Sequence, residues 1–264
     1  MNSTPQVGVV IPTHRFDHWL DEAVESSIAS IGVTIQIVVV ANGLDRITER
    51  PWMSDDRISI LHFTEALGPG GAMLPGLAHL DTEFVARLDA DDRMLPERLA
   101  RQVDYLQAHP ETPLVTTSVR RISETGSNEG LIRMPTGPDV RQHLILANRL
   151  VHSSFLMRRK SIEEAGSYQP NQLQMEDYDL ALRLARLGPI AVLPEVLTEY
   201  RIHPGQISKG AKPRGEHIER VLQLRRQLGE DLGMSRLGVG SRNLLWRLVQ
   251  FTRYYGLTRP GHQL

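Results

Sequence analysis

The stretch Glu83-Phe84-Val85-Ala86-Arg87-Leu88-Asp89-Ala90-Asp91-Asp92-Arg93-Met94-Leu95-Pro96-Glu97-Arg98-Leu99 decides the fold. Its first six residues form a largely apolar run, the pattern of a strand covered on both faces. The run ends in three carboxylates within four residues, Asp89-Ala90-Asp91-Asp92. Carboxylates so close repel one another and cost stability unless a cation or solvent compensates. Hard divalent cations such as Mg2+ and Mn2+ take oxygen ligands, often one or two carboxylates together with substrate phosphates. The turn therefore reads as a metal site. The competing reading is a solvated acidic turn in which Asp92 caps the next helix. That helix is expected from Leu95 to His109, with Pro96 at its start, where proline is tolerated.

Upstream, Val7 to Ile11 reads as a buried strand ended by Pro12, and Asp17 to Ser30 as a helix with Leu20, Ala23, Val24, Ser27 and Ile28 on one face. Ile35 to Val40 is a second strand stopped by Asn42-Gly43, Arg57 to Phe63 a third, and Gly70 to Leu80 a helix entered through Gly68-Pro69-Gly70-Gly71. Apolar strands alternating with helices predict an α/β fold: a central, mostly parallel sheet with helices on both faces. Ligands in such sheets bind beyond the carboxyl ends of the strands. The loops there are Pro12–Arg15, Ala41–Asp45 and Asp89–Asp92.

Downstream, Leu114 to Ile122 and Leu150 to Met157 read as strands, Glu176 to Leu187 as a helix, and Ile190 to Ile202 as extended but interrupted by Pro194. His203 to Gly215 reads as a mobile loop. Two basic helical stretches follow, Glu216 to Gly229 and Arg242 to Tyr255. Residues 1–211 carry 20 basic and 27 acidic residues, whereas 212–264 carry 10 and 4. The expected division is an α/β domain over 1–211, with halves of about 1–112 and 113–211, and a basic helical extension over 212–264.

The chain has 264 residues, 41% hydrophobic and 23% charged, enough to bury a sizeable core. Cysteine is absent, which excludes disulfides, zinc–thiolate sites and cysteine nucleophiles. Met1 to Gln6 lacks the basic-then-apolar pattern of a signal peptide. No stretch approaches the roughly 18 apolar residues of a transmembrane helix. A cytoplasmic protein is expected.

Four motifs in order resemble the family 2 glycosyltransferases of the GT-A fold. The quoted run looks like that family's signature, continued by Gln102, Tyr105, Leu106 and His109-Pro110-Glu111. Val9-Val10-Ile11-Pro12-Thr13-His14-Arg15 resembles its first strand and nucleotide loop. Met175-Glu176-Asp177-Tyr178-Asp179-Leu180 resembles its Glu-Asp motif at a helix start. Glu199-Tyr200-Arg201-Ile202-His203-Pro204-Gly205-Gln206-Ile207-Ser208 resembles its Tyr-Arg-x-His followed by Ser. The resemblance covers roughly residues 7–208.

It implies an inverting glycosyltransferase with a GT-A-like nucleotide-binding fold. A sugar would pass from a nucleotide-diphosphate sugar, UDP- or dTDP-sugar favoured, to an acceptor hydroxyl in polysaccharide or other glycan synthesis. The acceptor would be a glycan, a lipid-linked or a small molecule. The implied donor-binding residues are Pro12, Thr13, His14, Arg15, Asn42, Gly70, Arg87, Asp89, Ala90 and Asp91. Mn2+ or Mg2+ would sit on Asp91, Asp89 and His203. Asp177 would be the catalytic base, with Glu176 second, and His152 and Ser153 would lie near the acceptor. The loop after His203 would close over the donor.

The chain also departs from the family. Where the family usually carries an acidic pair followed by Gly and Ser, Ala41-Asn42-Gly43-Leu44 stands here; Asn42 offers both a donor and an acceptor to a base edge, and Asn42-Gly43 is equally a tight turn. Where an Arg and an Asn commonly follow the glycine-rich turn, Ala72-Met73-Leu74-Pro75-Gly76 stands here. These changes keep a second reading alive, a catalytically silent nucleotide-sugar or glycan-binding module. A nucleotidyltransferase would show a glycine-rich loop with a basic residue directly after the first strand, which Pro12-Thr13-His14-Arg15 does not match. A nucleic acid partner is not expected, because the body is acidic and no recognition motif occurs. In the tail, 240–256 reads as a basic amphipathic helix packed on the body, the alternative being peripheral contact with the inner membrane surface. Oligomerisation is left open.

Overall fold

Strands β1 (Val7–Thr13), β2 (Ile35–Asn42), β3 (Ile58–Phe63) and β4 (Phe84–Arg87) run parallel, with β1 between β2 and β4. The computed structural model describes residues 6–170, 172–206 and 215–255. Because these strands are parallel, their carboxyl ends open on one edge, and the loops at 12–15, 41–45 and 89–92 come together there.

Side-chain alternation along β1 sorts the core into two layers. Val7, Val9 and Ile11 pack with Leu20 and Val24 of α1 (His18–Ile28) and Leu99 and Val103 of α3 (Arg98–Ala108). Val10 packs on the other face with Ala72, Met73 and Leu77 of α2 (Gly68–His79). Both faces are covered, which is why these strands read as apolar runs rather than alternating ones. The Asp17 carboxylate caps α1 by accepting from the amides of Trp19 (3.1 Å) and Leu20 (3.3 Å).

The second half makes the sheet mixed. Its strands are β5 (Arg93–Met94), β6 (Leu114–Ile122), β7 (Asn128–Leu131), β8 (Leu156–Arg158) and β9 (Ile190–Arg201). The order is β3-β2-β1-β4-β8-β6-β9-β5, with β7 paired to β6 off this path. Strand β8 runs antiparallel to β4, so the chain entering β8 does so beside the carboxyl end of β4. Short helices α4 (Arg141–Leu144) and α5 (Arg159–Glu164) precede α6 (Glu176–Ala185).

Several sequence expectations are corrected. Leu150 to Met157 is not one strand: a 3-10 turn at His152–Ser154 precedes β8. Helix α3 starts at Arg98 rather than Leu95, because Arg93–Met94 pairs with Glu199 and Thr198 of β9 and the Leu95 amide donates to Leu197 O at 3.0 Å. Asp92 is not a helix cap; its carboxylate is buried and accepts the Arg201 amide at 2.8 Å, while Glu97 holds the N-cap position of α3 without a side-chain cap bond. Pro194 does not interrupt β9. It sits where the ladder to β6 shifts register, between the pairs Thr117–Leu193 and Ser118–Val196, a bulge in which a missing amide is tolerated.

The basic tail forms α7 (Gly215–Asp231) and α8 (Arg236–Tyr254). Helix α8 begins six residues before the expected Arg242. Gly238 and Gly240, weak helix formers, hide its first turns in the sequence, and Ser235 Oγ anchors them by accepting the Gly238 amide at 3.1 Å. Val221, Leu222, Leu224 and Leu228 of α7 belong to the same apolar cluster as Leu180 and Leu184 of α6. Most of the expected 203–215 loop, residues 207–214 with Ser208, lies outside the described residues.

Helix α2 crosses the sheet closely at Gly76, where an added Cβ would lie 2.6 Å from Val10 Cγ1 and 3.2 Å from Val40 Cγ2. Both neighbours are fully buried strand side chains. Gly76→Ala is therefore expected to lower stability by about 1–3 kcal/mol through overpacking. Urea denaturation with an unchanged slope reads this directly; an unchanged midpoint would mean that α2 is free to shift away from the strands.

Candidate functional site

At the end of β4, three elements converge on the acidic turn. The Leu88 amide donates to Val10 O at 3.2 Å and the Arg87 amide to Phe155 O at 3.1 Å, fixing the strand on both sides. Arg87 Nε donates to Asp89 Oδ1 at 2.9 Å, and the Asp89 amide donates to Ser153 Oγ at 3.0 Å. The third element is the carboxyl end of β9, held there by the β5–β9 ladder. It brings His203 Nε2 to 2.8 Å from Asp91 Oδ2. The guanidinium of buried Arg201 donates to Asp91 O (2.8 Å), Ser123 O (3.2 Å) and Glu124 O (2.9 Å), and it pairs with Glu22. The Trp19 ring lies 4.6 Å from that of His203, with the guanidinium of Arg15 at 5.0 Å and that of Arg201 at 5.5 Å from its centre.

Oxygens of Asp89, Asp91 and Asp92 lie within 4.8 Å of one another. Burial alone would raise the Asp89 carboxyl, but Arg87, His152 and the Arg87 and Ser153 hydrogen bonds together bring it below the usual range. Burial and the charge of Asp89 push Asp91 up, opposed in part by His203. Burial, then Asp91 and Asp89, push Asp92 well up, and its Oδ2 is buried without a hydrogen-bond partner. At the rim of the site, His14 is held down by the partial loss of water around its ring and by Arg15, with Asp91 opposing. Converging carboxylates, one orphaned buried oxygen and an imidazole form an oxygen-rich donor set with the chemistry of a Mn2+ or Mg2+ site. The residues fit such an ion.

The first two strand-end loops are clamped together. Asn42 Nδ2 donates to Thr13 O at 3.1 Å, and Thr13 Oγ1 accepts the Arg15 amide at 3.1 Å. Gly43 adopts a left-handed turn (φ 71°), so Asn42-Gly43 is a tight turn, and Asn42 ties it to the loop after β1. Pro12 and Ala90 are half-buried and His14 is exposed. Gly70 has no room for a side chain: an added Cβ would lie 3.2 Å from Gln172 O and 3.3 Å from Glu176 Cβ. The first turn of α2 is thus pressed against the start of α6, and this contact joins the two halves of the cleft.

Helix α6 begins with an acidic pair after Met175, which takes the left-handed conformation (φ 59°). Asp177 Oδ1 accepts the Tyr178 amide at 2.7 Å, and Asp177 Oδ2 accepts Asn148 Nδ2 at 2.8 Å. His152 bridges toward Glu176: its Nε2 lies 2.7 Å from Tyr168 Oη and its Nδ1 4.0 Å from Glu176 Oε1. Burial, then the neighbouring Asp177, push Glu176 up to about 8. Burial also raises Asp177, but its two hydrogen-bond donors favour the ionised form. Burial, then Arg87, push His152 down to about 3, so its ring is neutral. Adjacent and buried, the two carboxyls titrate as a pair, and the hydrogen bonds from Asn148 and the Tyr178 amide favour placing the charge on Asp177.

The structure thus gathers Asp89, Asp91, Asp92 and His203 on one side. It links them through Arg87, Ser153 and His152 to Glu176 and Asp177. The sequence reading gave no part to Trp19, Glu22, Asn148 or Tyr168. None lies in a motif, and only the fold brings them to the cleft. Arg201 was legible as a motif residue but not as the strut beneath Asp91.

Residues 8–166 match the sequence profile of Glycosyl transferase family 2. The chain belongs to this family. It is 36% identical over 172 residues to the amylovoran biosynthesis glycosyltransferase AmsE of Erwinia amylovora, an alignment spanning 64% of each protein. It is 26% identical over 214 residues to the O-antigen biosynthesis glycosyltransferase WbnJ of Escherichia coli, spanning 78% of this chain and 83% of that one. In fold it is similar to TarS 1-349 of S. aureus solved with UDP-GlcNAc (TM-score 0.69, 16% identity, 94% of this chain and 73% of that one). It is also similar to the mannosyltransferase PcManGT of Pyrobaculum calidifontis solved with GDP-Man and Mn2+ (TM-score 0.59, 19% identity, 88% and 65%). This family 2 chain therefore has a GT-A-like fold: a mixed sheet flanked by helices, with a helical extension after it.

The raised Glu176 carboxyl gives a stability prediction. Its ordinary value is 4.5 and its folded value about 8, so its favourable contribution is complete below about 4.5 and is lost as pH rises through about 8. Glu176→Gln cannot ionise and escapes that loss. In metal-free protein, the Tm of the variant minus that of the parent is expected to grow between pH 6 and pH 9 by scanning calorimetry. A difference that stays flat would show that the Glu176 carboxyl is not held protonated by the fold.

Proposed function

We propose that the protein is an inverting, metal-dependent glycosyltransferase that moves a sugar from a nucleotide-diphosphate sugar to an acceptor hydroxyl. One observation carries this reading. The His203–Asp91 pair on the acidic turn and the hydrogen-bonded Asp177 are linked through Arg87, Asp89, Ser153, His152 and Glu176.

Residues 1–211 form the catalytic unit in this reading and 212–264 its extension. Pro12, Thr13, His14, Arg15 and Asn42 line the nucleoside side of the cleft, with UDP- or dTDP-sugars the favoured donors. Asp91, His203 and Asp89 would hold Mn2+ or Mg2+, which when bound would supply positive charge toward a departing diphosphate. Arg87 orients Asp89. The acceptor oxygen attacks the anomeric carbon opposite the diphosphate. The new C–O bond forms as the bond from that carbon to the diphosphate oxygen breaks, the acceptor proton passes to Asp177, and configuration inverts. Asn148 aims the Asp177 carboxylate, and protonated Glu176 spares it a second adjacent negative charge. His152 and Ser153 place this chemistry beside the acceptor. The names of AmsE and WbnJ, which speak of amylovoran and O-antigen biosynthesis, support assembly of a polysaccharide, and the GDP-Man and Mn2+ of PcManGT support the donor class and the ion.

Calorimetry with a panel of nucleotides and nucleotide-sugars, with Mn2+ and again with EDTA, tests the donor site. Binding of one member is expected only with metal, and Asp91→Ala should weaken it by at least about tenfold. Asp177→Asn should lower turnover by about 100-fold to 10,000-fold and leave donor affinity within about twofold. If donor affinity falls as far as turnover does, Asp177 is not the base. Metal-dependent binding without transfer to any glycan acceptor would instead favour the silent binding module.

A further inference from the structure

Helix α8 has two faces of opposite character. Val239, Asn243, Trp246 and Gln250 turn inward and are buried. The Trp246 ring lies 6.1 Å from that of Tyr178, and the Arg225 guanidinium lies 4.8 Å from the Trp246 ring centre. The outward side carries Leu237, Leu244, Leu245, Leu248, Phe251 and Tyr255, of which Leu237 is 89% exposed and each of the others more than half. Positions 237, 244, 248, 251 and 255 follow a helical repeat and stack on one side, opposite the buried one. Phe251 and Tyr255 extend the row with rings 4.4 Å apart. Singly exposed leucines are ordinary, but a continuous row of large apolar side chains along one helix marks an interaction surface. Among the described residues, no other element buries this row.

Charge distinguishes the occupants. From Leu232 to Leu264 the chain has no Asp or Glu, whereas Arg236, Arg242, Arg247 and Arg253 lie along α8. The side chains of Arg236 and Arg247 are 92% and 61% exposed, even though each reaches a glutamate of α7, Glu230 and Glu219. A second copy meeting this chain face to face would set arginines against arginines. A surface of anionic headgroups over acyl chains complements both the arginines and the apolar row. No helix among the described residues is long and apolar enough to cross a membrane, so α8 would lie in the interface plane.

We propose that α8 docks the protein on an anionic lipid surface, its apolar row in the interface and Arg236 and Arg247 at the headgroups. Trp246, on the inward side of α8, packs on Tyr178, the residue after Asp177, so α8 is tied directly to the helix that carries the acid pair. Docking would hold the catalytic unit at the surface where lipid-carried acceptors reside. In the transferase reading, on which this consequence alone rests, the acceptor class is a lipid-carried glycan.

The full chain is sedimented with phosphatidylcholine vesicles, and with vesicles in which about a quarter of the lipid is phosphatidylglycerol. Binding to the anionic vesicles is expected to exceed binding to the neutral ones by at least about tenfold and to weaken with salt. The triple variant Leu244→Ser, Leu248→Ser, Phe251→Ser should lose at least about tenfold in vesicle binding. It should keep the parent melting temperature, since all three side chains face outward, and also its metal-dependent nucleotide binding. That second readout separates failure of the docking face from failure of the donor site. Absent binding to anionic vesicles, or equal binding by parent and variant, overturns the proposal. So does a dimer in sedimentation velocity that the triple variant dissolves while the parent ignores vesicles, which assigns the row to a second copy.

Discussion

The structure depends on keeping three carboxylates at the end of a buried strand. Asp89 and Asp91 are half-buried and Asp92 fully buried, so solvent only partly screens their repulsion, and each is held by a different counterweight. Arg87 pairs with Asp89, His203 pairs with Asp91, and the Arg201 amide donates to Asp92. These partners come from the same strand as the turn and from a strand more than a hundred residues later. The β5–β9 ladder, only two residues long on one side, is what brings the late strand to the turn. Breaking that ladder would leave Asp92 buried without its donor.

The same constraint organises the second half of the sheet. Strand β8 runs antiparallel to β4, so the chain enters it at the acidic end of the sheet and delivers His152 and Ser153 there. Arg98 and Gln102 of α3 secure this junction. Arg98 Nη2 donates to both Arg87 O and Phe155 O at 3.1 Å, and Gln102 Nε2 to Ser154 O at 2.8 Å. Burial pushes the Arg98 guanidinium down to about 9, so the fold tolerates a cationic group out of water at this joint for the sake of its geometry. The signature motif thus supplies its own scaffold: one segment provides the acidic turn, and the helix after it holds neighbouring strands in place.

The extension shows how an apolar helix face can be misjudged from composition. Both α7 and α8 are amphipathic, yet α7 completes the main core whereas α8 buries only a narrow face through Trp246 and its neighbours. Hydrophobic periodicity reveals that a helix has an apolar side. It does not reveal whether that side points inward.

Alone, the sequence determined the strand and helix alternation of the first half, the acidic turn, the Glu-Asp helix start and the order of the family's motifs. These signals are local: an apolar run, a turn or a cap is written in consecutive residues. Tertiary structure alone decided which side chains answer them. Asp92 was legible as a cap and became a buried acceptor for Arg201; Leu150 to Met157 was legible as a strand and became a turn that presents Ser153; Asn148, Tyr168 and Trp19 carried no local signal. Each depends on pairing between segments distant in the chain, and β8 and β9 find their places through ladder hydrogen bonds that every residue but proline can make. Sequence spacing cannot encode such a choice, because apart from proline the backbone donors and acceptors are the same at every position.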